Sequence, residues 1–222
     1  MIYLPVTLLL FLALILLLPF IWVAIAIDLV EVAVAKLGFS PNVAFLLFMS
    51  IMVGSTINIP LYRRTSEASL VPDFADLWLR QFWGIPLYKM RQETVVALNV
   101  GGGLIPVLLA LYELTRSDPI AIFLVTALVT FVSYFSAQIV PGIGIQMNAL
   151  VAPLTASLAA VLLAGVEAPS VAFAGGVLGV LIGADLLHLP DIERMTPGVL
   201  SIGGAGVFDG IALCGLFALL LT

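Results

Sequence analysis

Polar residues punctuate long apolar stretches along this chain, and the spacing of that punctuation predicts helices that cross a lipid bilayer. Each crossing needs about 20 apolar residues to cover roughly 30 Å of hydrocarbon. Seven stretches qualify, at about 3 to 27, 41 to 60, 98 to 115, 119 to 138, 146 to 165, 169 to 187 and 200 to 221. Pro19 is expected to kink the first, which continues past the membrane as an amphipathic piece from Asp28 to Leu37 and stops at Gly38. Ser40 before Pro41, and Asp118 before Pro119, read as helix starts: a capping side chain followed by proline at the first helical position.

This pattern predicts an all-α fold, a single polytopic transmembrane domain over residues 1–222 with about seven helices. Residues 61–97 form its one long loop. Within that loop PDFADLWLRQFWGI carries Phe74, Leu77, Trp78 and Phe82 at helical spacing, as a helix lying in the membrane interface does. The following IPLYKMRQETVVAL reads as a short surface hairpin. The sequence shows no convincing internal repeat, which weighs against an inverted-repeat transporter.

Composition agrees with a membrane chain. Of 222 residues 63% are hydrophobic and 9% charged, with a mean hydropathy of +1.25, which excludes a water-soluble domain. The lipid bilayer is the implied partner, and there is no basic stripe for nucleic acid. Arg63, Arg64, Arg80, Lys89, Arg91 and Arg194 fall in two loops, against Lys36 and Arg116 on the other side. That asymmetry places residues 61–97 and the N-terminus in the cytoplasm. The N-terminal run lacks a basic leader and a cleavage motif, so it reads as a retained span. Cys214 is the sole cysteine and His188 the sole histidine, so neither an intrachain disulfide nor a histidine-rich metal site is expected, and no cofactor is implied. Acid–base chemistry falls to carboxylates.

Two aspartates lie at membrane depth: Asp185 in AGGVLGVLIGADLLHL and Asp209 in LSIGGAGVFDGIALCGLFALLL. An ionisable group there costs a few kcal/mol or more unless it faces protein or water. A single such residue is often a buried hydrogen-bonding group, whereas two on consecutive spans point to a catalytic dyad or an ion pathway. An antiparallel arrangement puts Asp185 near the cytoplasmic end of the sixth span and Asp209 about 13 Å into the seventh, a mismatch that an unwound SIGGAG segment absorbs. Gly203, Gly204, Gly206 and Gly210 surround Asp209 and leave room for water or an extended peptide. Two carboxylates sharing one proton act as general base and general acid on water attacking a peptide bond. The same pair serves equally to relay protons or hold a cation. His188, three residues on, either shares the face of Asp185 or sits at the interface.

Before the fifth span, Pro141, Gly142 and Gly144 precede Gln146, Asn148 and Pro153. This predicts either a broken or re-entrant helix whose freed backbone groups need polar partners, or a helix start that is merely glycine-rich. On the first reading Gln146, Asn148 and Pro153 join Gly204 and Gly206 as candidate cavity-lining or substrate-binding residues. Asn99 with Gly101, Gly102 and Gly103 reads first as a close helix-packing surface and second as a ligand site, and Asn58 has the same two readings.

The segments GSTINIPL, VVALNVGGGLIPVLLALYEL, GADLLHL and GGAGVFDGI together resemble the prokaryotic membrane proteins of domain-of-unknown-function family 1614. The resemblance covers almost the whole chain and implies the plasma membrane of a prokaryote, with no activity attached. A second resemblance is to the GxGD intramembrane aspartyl proteases, the presenilin and signal-peptide-peptidase group. It implies Asp209 as the aspartate of the glycine-flanked motif, Asp185 as that of the preceding helix, and a transmembrane peptide as substrate. The chain departs from that pattern: Gly204, Ala205, Gly206, Val207, Phe208 and Asp209 make a motif two residues longer than GxGD, and no tyrosine precedes Asp185. Ala152, Pro153 and Leu154 stand in a different order from the proteases' Pro-Ala-Leu element. The expected function is intramembrane aspartyl proteolysis, with a proton- or cation-coupled transporter or channel, and a non-catalytic membrane scaffold, as rivals.

Overall fold

The computed structural model describes residues 6–66, 92–140, 144–191, 198–204 and 210–222. The first helix, α1 (Val6–Lys36), runs through Pro19 as one element. It stops at Gly38, whose φ of 80° is open to glycine and strained for other residues. Ser40 takes the extended backbone of an N-cap before α2 (Pro41–Gly54) but makes no side-chain capping bond.

From here the chain departs from the all-α expectation. Ser55 to Ile57 turn it into β1 (Asn58–Ser66), which pairs antiparallel with β2 (Gln92–Asn99) from Asn58↔Asn99 to Ser66↔Gln92, with a bulge at Pro60/Tyr62. A third strand, β5 (Gly198–Ile202), lies parallel on the other edge of β2. The runs at 41–60, 98–115 and 200–221 are apolar enough to span, but residues 58–60, 98–99 and 200–202 within them are strand. Gln92–Asn99, expected in a local hairpin, is a strand whose partner is Asn58–Ser66. The interfacial helix expected at 72–85 lies outside the described residues.

After β2 a π-turn (Val100–Leu104) leads straight into α3 (Ile105–Glu113). Asp118 then caps α4 (Pro119–Ser136), its carboxylate accepting from the Ile120 N–H at 2.9 Å as the sequence predicts. The helix does not continue into the next span: β3 (Gln138–Val140) and β4 (Gly144–Gln146) pair antiparallel before α5 (Val151–Ala164) begins. A short 3₁₀ turn at Gly165–Glu167 folds the chain back into α6 (Ala168–Val180), which passes into a second π-turn (Leu181–Leu186). The last helix is α7 (Gly210–Leu221).

The centre is α6. It is apolar all round, residues 171–177 are buried, and α3, α4, α5 and α7 pack on it. Gly175 and Gly179 meet α4 so closely that a Cβ would sit 2.7 Å from the Cβ of Val125 and 2.6 Å from that of Val129. Gly183 meets Thr130 and Ser133 in the same way. Small residues thus supply the dispersion contacts that bind helices where no hydrophobic effect operates.

Side-chain contacts define two ends. At one, Lys36 Nζ donates to the Leu219 carbonyl at 2.8 Å, Arg116 to the Leu37 carbonyl at 3.2 Å, and the Asp118 N–H to Glu167 Oε2 at 2.9 Å. Both cations sit on helix C-terminal carbonyls, where the dipole favours them. The other end holds the sheet, the β3–β4 pair and the second π-turn. Among the described residues, three apolar helical runs, Leu10–Lys36, Pro119–Ser136 and Val151–Asp191, are long enough to cross a membrane, the last being α5 and α6 folded onto each other.

Candidate active site

At the sheet end lies a cavity of about 610 Å³. Its wall combines three stretches of chain, 136–153, 180–185 and 210–213. The β3–β4 pair contributes Gln138 and Gln146, which are cross-strand partners. The following turn contributes Asn148, and the first turn of α5 contributes Pro153. The π-turn after α6 brings Asp185, and the first turn of α7 brings Gly210.

Local chemistry explains each position. Asn148 Oδ1 accepts from the Leu150 N–H at 3.0 Å, an Asx turn that launches α5 and leaves the amide NH₂ side of the residue for other partners. Pro153 lies where a helix has no intrahelical acceptor for an N–H, so its missing donor costs nothing there. Its carbonyl takes the Ser157 hydroxyl at 2.6 Å. Asp185 is half-buried on the widened π-turn, a geometry frequent at functional sites.

Four of the residues singled out in the sequence, Asp185, Gln146, Asn148 and Pro153, therefore meet on one wall. Gly204 is not on it: Gly203 and Gly204 form the turn after β5, where Gly203, with a φ of 70°, packs against the backbone of Gly102 and Gly103. Gly206 and Asp209 lie outside the described residues. Gly210, the first described residue of α7 and the chain neighbour of Asp209, borders the cavity.

The Asn99 cluster is a packing device. Asn99 is fully buried; its Nδ2 donates to the Ser55 carbonyl at 2.8 Å and its Oδ1 accepts from Gly102 N at 2.9 Å. His188 also differs from a solvated interface residue, being 9% exposed with Nδ1 3.1 Å from the carbonyl oxygens of Gly183 and Ala184.

The profile of the family described as "Protein of unknown function (DUF1614)" matches residues 52–221, well over half of the chain. The chain belongs to DUF1614. The matched region holds every cavity residue named above, whereas α1 precedes it. No curated protein and no solved structure matches the chain.

Two residues of this DUF1614 chain went unforeseen. Gln138, at the end of an expected span, lines the cavity from β3. Glu113, the last residue of α3, is 1% exposed and hydrogen-bonded to Ser170, with Arg116 nearby. It belongs to the opposite end, and nothing in its sequence context marked it as buried.

Proposed function

We propose that this chain is an intramembrane aspartyl protease in which Asp185 and Asp209 share one proton. The observation that carries the reading is that Asp185 and Gly210, the neighbour of Asp209, border the same cavity. In the reaction one carboxylate takes a proton from water as its oxygen attacks the peptide carbonyl carbon, and the other carboxyl protonates the carbonyl oxygen. The resulting gem-diol collapses, the C–N bond breaks, and the leaving nitrogen takes a proton from the dyad. A cavity of about 610 Å³ has room for an extended segment of a transmembrane peptide, and the carboxamides of Gln138, Gln146 and Asn148 suit its backbone. The fold is read as seven crossings with a cytoplasmic N-terminus and an exported C-terminus. Lys36 and Arg116 gathering at the end opposite the sheet supports that orientation.

Packing beyond the cavity favours a closed-ended site over a passage, because Gly175, Gly179 and Gly183 bring α6 onto α4 with no space for even a methyl group. The test is reconstitution into liposomes with fluorogenic transmembrane peptides, with proton and cation flux followed in the same vesicles. Cleavage without flux supports the protease. Flux without cleavage supports the transporter or channel, and neither supports a scaffold.

A further inference from the structure

Next to Asp185 in the chain, the helix end is held by a side chain for which proteolysis has no use. Nδ1 of His188 lies 3.1 Å from both the Gly183 and the Ala184 carbonyl oxygens. Carbonyl oxygens only accept, so Nδ1 carries the hydrogen and shares it between them. The ring also stacks on Tyr134 of α4, with centroids 4.7 Å apart and planes at 28°. A helix end leaves its last carbonyls without donors, and here His188 supplies one to two of them.

Those carbonyls belong to the π-turn Leu181–Leu186, in which the Leu187 N–H reaches back five residues to the Ile182 carbonyl at 3.0 Å. Such a turn holds one residue more than the α-helix it interrupts. Relaxation into α-helical register would rotate Asp185 by about 100° around the helix axis, off the wall it shares with Gln146 and Gly210.

We propose that His188 is a positioning residue for Asp185: donating to the Gly183 and Ala184 carbonyls while stacked on Tyr134, it holds the π-turn in the register that presents Asp185 to the cavity. The inference goes beyond the protease reading, since any chemistry at Asp185, proteolytic or ion-coupled, needs the carboxyl on that wall.

The experiment uses the full chain in liposomes and dicyclohexylcarbodiimide, an apolar reagent that couples to carboxyl groups at membrane depth, with modification of Asp185 read by peptide mass spectrometry. Thermal unfolding in detergent confirms that each variant is folded. His188→Leu removes the donor, His188→Asn keeps an N–H near the place of Nδ1, and Tyr134→Ala removes the platform. His188→Leu and Tyr134→Ala should slow labelling about fivefold, the population change that one net hydrogen bond sustains, while His188→Asn stays near the wild-type rate. A folded His188→Leu protein that labels like the wild type would overturn the inference. So would His188→Asn as slow as His188→Leu, or a wild type that does not label at Asp185. If His188→Leu does not fold, Tyr134→Ala at the wild-type rate is equally decisive against it.

Discussion

Asn99 Nδ2 donates to Asn58 Oδ1 at 3.1 Å, and this pair joins places where strand and helix give way to each other. Asn58 opens β1 just after α2, and Asn99 closes β2 just before the π-turn and α3. Ser201 of β5 donates to the same Asn58 oxygen. In hydrocarbon every change of backbone geometry frees polar groups that water cannot reach, so buried amides must satisfy them.

Asn99→Leu strips the partners from Gly102 N and the Ser55 carbonyl. It should cost about 2 kcal/mol or more, the desolvation penalty of buried unpaired groups. The check is a lowered thermal midpoint in detergent; a midpoint equal to the wild type would contradict the role given to Asn99.

The glycine face of α6 offers a second test. Gly179→Ala and Gly183→Ala push a methyl group into α4, and overpacking of this kind costs about 1–3 kcal/mol. At Gly210, by contrast, a Cβ would meet Val180 at 3.8 Å, an ordinary contact. Gly210→Ala should therefore change the unfolding free energy by no more than about 0.5 kcal/mol. Equal destabilisation at all three positions would show that the close approach is not what makes the first two intolerant.

Part of the cavity was legible because proline and glycine mark interruptions between helices, although the structure fills this one with the β3–β4 pair and not with a broken helix. Pro141, Gly142 and Gly144 standing together marked the interruption before α5, and the amides just after it are the groups such a break requires. Asp185 stood out as a charge in an apolar run. The sheet was hidden for a physical reason: GSTINIPL and VVALN are apolar enough for a span, and a hydropathy count does not separate a buried strand from a helix. Nor does local sequence reveal that β2 pairs with a strand 26 residues before it (Ser66 to Gln92) and with β5 a hundred residues after it. The positions Gly175, Gly179 and Gly183 recur every four residues, but which helix they meet is set only by the fold.

Orientation is checked by cysteine accessibility in a Cys214→Ala background, where the buried native thiol is removed. Val166, fully exposed at 98% in the turn between α5 and α6, lies at the exported end of the proposed topology. Val166→Cys should react with an impermeant maleimide added to intact cells, and Ser66→Cys at the end of β1 should not. The reverse pattern would invert the chain in the membrane.

The most direct test of the dyad is the rate of transmembrane-peptide cleavage by the reconstituted wild type and by Asp185→Asn, Asp209→Asn and the double variant, each confirmed as folded. Asn preserves shape and cannot cycle a proton, so both single variants should lose cleavage, and each should be about as inactive as the double because members of one catalytic unit are not additive. Retention of substantial cleavage by either folded single variant would contradict an Asp185–Asp209 dyad.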